Sequence, residues 1–165
     1  MSIELFLYSD TVRPDPAEFD AAMRHAGWIT RFVAGLQDLR PVSIEKSTLV
    51  LGLPIESATT LNTDAWAESD LQHLYRQEKI AAASVYVVLV GDSERETLRE
   101  IADHEAPREY QERIRGSSVV FSVATYATRN ERSLQFQRAV WGALGIATAG
   151  VLHDPDAGEF TDIPA

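Results

Sequence analysis

With 165 residues, 45% of them hydrophobic and 24% charged, the chain is long enough to bury one core and too apolar to be disordered throughout. It contains no cysteine, which excludes a disulfide framework, a zinc ribbon and a thiol nucleophile. Its 25 acids outnumber its 15 bases, giving a formal net charge of −10 that opposes binding to nucleic acid or to anionic lipid.

Ile3 to Tyr8 is an apolar, β-compatible run. Asp15-Pro16-Ala17-Glu18 then supplies a capping acid, a proline at the first helical position and a glutamate at the third. Phe19, Ala22, Met23 and Ala26 give that helix its apolar face, and Gly27 supplies a stop. Trp28 to Val33 alternates as a half-buried strand does, and Thr48 to Leu53 reads as another strand closed by Pro54. Between Asn62 and Ala82, Leu71, Leu74, Tyr75 and Ile80 recur at helical spacing behind a Ser69 and Gln72 capping pair. Ser84 to Val90 is the most continuous apolar run and predicts a central strand buried on both faces.

Ser93-Glu94-Arg95-Glu96 reads as a capping box opening a helix with Leu98, Ile101 and Ala102 on one stripe, ended by Pro107. A short helical stretch over Tyr110 to Ile114 leads to Gly116. Ser118 to Tyr126 is a strand, and Thr128-Arg129-Asn130-Glu131 caps a helix expected to run to Leu144 and stop at Gly145. Leu134, Trp141 and Leu144 form one apolar stripe of that helix, with Phe136 and Val140 on the next. Gly150 to His153, the turn Asp154-Pro155-Asp156-Ala157-Gly158 and Glu159 to Thr161 read as a hairpin. The expected fold is α+β in a single domain over 1–165, with a flexible tail at 162–165. Its sheet is mixed or antiparallel, with a ferredoxin-like βαββαβ beginning extended by a C-terminal β-α-β-hairpin.

The chain has no Gly-x-Gly-x-x-Gly after a strand, no phosphate loop, no Gly-x-Ser-x-Gly elbow and only two lysines, which argues against nucleotide enzymes and the commonest hydrolases. No two of His25, His73, His104 and His153 stand at metal-ligand spacing. His25, His73 and His104 read as surface or capping residues. His153, beside Asp154 and Asp156, could act as a base or hold a divalent cation if Asp10 came near, but both aspartates are better explained as turn formers. Trp28 and Trp141 read as core, and Trp66 as either an exposed anchor or a cover for the sheet edge. Glu94, Glu96, Glu100 and Asp103 share a helical surface that is either a solvated face or a docking surface for a cationic partner. No basic segment leads into an apolar run near Met1, and no run reaches the roughly 18 apolar residues of a membrane span, so the expected location is cytoplasmic.

The segment from Trp141 to Phe160, with Gly150-Val151-Leu152-His153-Asp154-Pro155 followed by Gly158-Glu159-Phe160, resembles the closing segment of small bacterial immunity proteins from polymorphic toxin systems. It is also similar to several bacterial α+β families with an Asp-Pro turn. The immunity-protein resemblance implies a cytoplasmic protein that occupies a cognate toxin, and it transfers no catalytic residue, metal or cofactor. The expectation is therefore a non-enzymatic protein that binds a basic toxin domain, with no nucleic-acid or membrane partner. Its contacts would be Asp154, Asp156, Glu159 and Asp162, with Glu94, Glu96, Glu100 and Asp103 as a second patch. Two alternatives stay open: a small metal-dependent hydrolase centred on His153 and Asp154, and a ferredoxin-like ligand-sensing module with a concave apolar pocket.

Overall fold

The computed structural model of the chain describes residues 3–34, 38–40, 47–57, 73–125 and 131–162. Its strands are β1 (Ile3–Ser9), β2 (Trp28–Ala34), β3 (Asp38–Arg40), β4 (Ser47–Pro54), β5 (Ala81–Leu89), β6 (Val119–Thr125), β7 (Val151–Asp154) and β8 (Glu159–Asp162). They form one sheet in the order β3-β2-β4-β5-β6-β1-β7-β8, and every neighbouring pair is antiparallel. The helices are α1 (Pro16–His25), α2 (Asp92–His104), α3 (Arg108–Arg115) and α4 (Glu131–Thr148). The fold is α+β.

This strand order differs from the expected ferredoxin-like beginning. β1 and β2, joined by α1, run parallel with three strands between them, whereas a split β-α-β leaves room for one. The split unit occurs at the other end of the chain: β6, α4 and β7 form it, with β1 inserted between the two parallel strands. The reason lies in the partners β1 finds. Its alternating apolar residues pair along their whole length with β6, from Ile3 opposite Thr125 to Ser9 opposite Val119.

α1 and α4 cover one face of the sheet. The Asp15 carboxylate accepts from the N–H groups of Ala17 and Glu18 at 2.8 and 3.2 Å, and Gly27 with φ of +96° follows the helix end, so both predicted ends of α1 are present. Phe19 and Met23 from α1 meet Phe136, Val140 and Leu144 from α4 over Leu7, Val50, Val85 and Phe121. Gly52 lets this layer close, since a Cβ there would lie 2.3 Å from Cε1 of Phe136. α2 and α3 lie on the opposite face. There Leu98, Ala102 and Ile114 pack on Tyr8 and Val151.

Several boundaries move. β5 begins at Ala81 instead of Ser84, and only its first half is buried on both faces. Tyr86 and Val88 project from the side that α2 and α3 leave open, and Leu89 lies at the strand's exposed end. The helix expected to extend to Ala82 ends earlier, with 73–76 helical and a turn before Ala81; its start and Trp66 lie outside the described residues. α2 starts at Asp92 with Gly91 as its N-cap, which places Ser93 inside the first turn, where its hydroxyl hydrogen-bonds to Glu94 and not to the backbone. α4 continues through the buried Gly145 to Thr148 and ends at Ala149, whose φ is +51°. Gly150 is needed for a different reason, because a Cβ there would meet Leu7 Cδ1 at 2.5 Å and Tyr8 O at 2.8 Å. Leu134 faces outward, and Trp141 is half-buried. Asp162 closes β8 and is no part of a tail; 163–165 and the cap at Thr128 to Asn130 lie outside the described residues.

Candidate functional site

The alternation of β7 separates the two residues that sequence placed side by side. His153 points to the α2 and α3 face, and Asp154 points to the α4 face. The Nδ1 of His153 lies 2.7 Å from the Tyr8 hydroxyl, and both side chains are almost fully buried, at 4% and 3% exposed. Phe160, directly opposite on β8, stacks on the imidazole with centroids 4.0 Å apart and planes inclined by 10°. Burial pushes the His153 pKa below its ordinary value, against the opposing pull of the Glu105 and Asp154 charges. Burial, assisted by Glu105, pushes the Tyr8 hydroxyl up. The pair is therefore neutral at physiological pH, a phenol joined to an imidazole.

Asp154 is 4% exposed, so it is no surface contact. Its Oδ2 accepts from Arg138 Nη2 at 2.7 Å, and its Oδ1 accepts from the Ala157 N–H at 3.2 Å within the turn. Burial favours the neutral acid, but these hydrogen bonds, the Arg138 charge and a further bond from the Asp156 N–H together outweigh it and hold the carboxyl below its ordinary range. Arg138 also lies over the Trp141 ring, 5.8 Å from its centroid.

Asp162 is engaged as well. Arg113 Nη1 donates to its Oδ2 at 2.9 Å, the Tyr110 hydroxyl to its Oδ1 at 3.3 Å, and Arg113 Nη2 reaches Ala149 O at 2.8 Å. Asp103 pairs with Arg115, whose guanidinium holds its carboxyl below the usual range. Glu94 is half-buried and accepts from Ser93, which keeps it ionised. Glu96, Glu100, Asp156 and Glu159 are exposed and carry no ion pair among the described residues. Of the eight acids singled out by sequence, these four present unengaged charge.

Between α2 and the sheet lies a cleft of about 270 Å³, floored by Phe6, Tyr8, Val88 and Val120, with Leu98 and Ile101 on one wall and His153 at the inner end. Glu94 and Thr97 lie at its α2 side, and Glu94 is its one charged lining residue. Register explains the floor. Tyr86, Ser122, Phe6, His153 and Phe160 stand opposite one another in turn across five strands, and Val88, Val120, Tyr8 and Val151 form the next row. In the sequence, Tyr8 and Phe6 stand out only as members of an apolar run. What marks Tyr8 is a phenol hydroxyl inside a buried strand, which requires a polar partner somewhere else in the chain.

No family model, curated protein or solved structure matches this chain. Among the described residues, no three His, Asp or Glu side chains are grouped as a metal ion requires, and His153 and Asp154 lie on opposite faces of the sheet. No helix among them is long and apolar enough to cross a membrane.

Proposed function

We propose that the chain is a non-enzymatic, acidic binding protein of the immunity type, which occupies a basic toxin domain in the cytoplasm. The supporting observation is the way the fold concentrates charge. Residues 92–115 and 150–162 contain twelve acids and five arginines, so they carry seven of the ten net negative charges. The Arg113 to Asp162 ion pair and the packing of Phe160 beside Leu98 and Ile114 bring α2 and α3 against the β7–β8 edge of the sheet. Three of the five arginines are turned to internal tasks: Arg95 to the carbonyls of Arg115 and Ser117, Arg113 to Asp162 and Ala149, and Arg115 to Asp103. Among the acids without an ion pair, Glu96 and Glu100 on α2 form the contact surface, and Asp156 in the β7–β8 turn and Glu159, which stands opposite Asp154 and so points to the α4 side, continue it round the sheet edge. A field of one sign speeds encounter with a basic partner and weakens with salt.

Co-expression with a basic toxin domain, sought among the products of neighbouring genes, tests the reading. The native protein restores growth, and the Glu96→Lys, Glu100→Lys, Asp156→Lys, Glu159→Lys combination abolishes protection while leaving the fold intact. Undiminished protection by the combined variant would reject it.

A second reading, a ligand-sensing module, is favoured by one observation: the apolar cleft beneath α2 with a buried histidine at its end.

A further inference from the structure

We infer that the cleft beneath α2 is a binding site for a small aromatic amine, with its rings on Phe6, Val88 and Val120 and its ammonium group directed to Glu94. The inference rests on the ligand-sensing reading and names the ligand's chemistry.

Three observations fix that chemistry. The first is size. A cavity of about 150 Å³ holds one benzene ring, so about 270 Å³ admits a body of roughly two fused rings. The second is the lining. Six of its residues, Phe6, Tyr8, Val88, Leu98, Ile101 and Val120, are apolar or aromatic, and Val88 remains 42% exposed on an otherwise covered row of the sheet. The third is charge. Glu94 is the single charged lining residue, Glu105 adds negative potential at Tyr8 and His153, and no lysine or arginine lines the cleft. An anion is repelled there, while an ammonium gains a carboxylate and two electron-rich ring faces.

His153 supplies the polar anchor. It is 4% exposed, its Nδ1 is committed to Tyr8, and its Nε2 has no hydrogen-bond partner among the described residues although the ring lines the cleft. Nε2 is therefore available to hydrogen-bond one polar group of a ligand in the cleft. Stacking on Phe160 holds the imidazole in this orientation.

Three probes with one ring system separate the contributions: tryptamine as cation, 3-methylindole as neutral molecule and indole-3-propionate as anion. Each is titrated into the full chain and followed by amide chemical shifts. Tryptamine is expected to bind most tightly, with a dissociation constant on the order of tens to hundreds of micromolar, and to shift the amides of Phe6, Thr97, Val120 and His153. Glu94→Gln should weaken tryptamine about two- to five-fold and leave 3-methylindole unchanged. Val88→Trp, which fills the cleft from an exposed position, should weaken both. If indole-3-propionate matched tryptamine, or Glu94→Gln left tryptamine binding unaltered, the amine assignment would be overturned while the cleft stood as a site. If no probe moved the cleft amides, the ligand-sensing reading and this inference would fall together.

Discussion

The Tyr8 hydroxyl and Nδ1 of His153 lie 2.7 Å apart across 145 residues of sequence, joining β1 to β7 inside the layer beneath α2 and α3. Their burial makes this contact a pH-sensitive element of that layer.

The sign follows from linkage. Folding lowers the His153 pKa, so below the ordinary histidine value near 6.5 the unfolded chain binds the extra proton more readily than the folded one. Stability should be complete above that value and fall as pH drops from about 7 toward 5. Tyr8 works at the other end: its raised value means stability is complete below pH 10 and declines as pH rises beyond it. Urea midpoints across this range check both. His153→Gln should flatten the acid limb, and a limb of unchanged slope in that variant would assign it to other groups. Tyr8→Phe should cost about 1–2 kcal/mol at neutral pH by leaving Nδ1 without its partner.

Asp154 and Asp156 are two residues apart and should behave differently. Asp154→Ala removes the partner of the solvent-exposed Arg138 guanidinium and the acceptor of the Ala157 N–H in the turn, with an expected loss of about 1 kcal/mol. Asp156→Ala, at an exposed position, should stay within about 0.5 kcal/mol. Because folding lowers the Asp154 pKa, its contribution is present above pH 3.8 and lost as pH falls further. Denaturation of the two variants at pH 7 and pH 3 provides the comparison.

Much of this site was legible in sequence, though not in the form it took. The Asp-Pro-Asp turn, the hairpin and the acidic helix are local features, written in spacing and turn chemistry, and they occur where expected. Which acids remain free was not legible. Asp154, Asp162 and Asp103 are engaged by Arg138, Arg113 and Arg115, and the partner in each case comes from another element. The strand order was missed for the same reason, because apolar alternation fixes which residues face the core but not which strand lies alongside. Gly145 misled in a further way: a stop signal read locally is overridden when both sides of the glycine are packed in a core.

Gln137 is fully buried within α4, and its Nε2 donates to the carbonyls of Ile3 at 2.9 Å and Val123 at 2.8 Å. Gln137→Leu fills similar space and strands both acceptors, for an expected loss of about 1–3 kcal/mol. Hydrogen exchange should quicken at the start of β1 more than in β4. Uniform protection across the two strands would contradict this.

Gly52 and Phe136 form a size-matched pair. Gly52→Ala drives a methyl group into the Phe136 ring and should cost about 1–3 kcal/mol. Combining it with Phe136→Leu should recover part of that loss, giving a non-additive cycle. Additive losses would mean that the ring relaxes elsewhere.

The insertion of β1 between β6 and β7 sets a timetable for the chain. β1 has both of its neighbours more than a hundred residues downstream, at Val119–Thr125 and Val151–Asp154. Until those segments are made, Leu5, Leu7 and Tyr8 have no sheet to enter, and both edges of the strand stay open to wrong partners. Closure waits for the synthesis of β7, so folding is dominated by long-range pairing and runs slowly for a domain of this size.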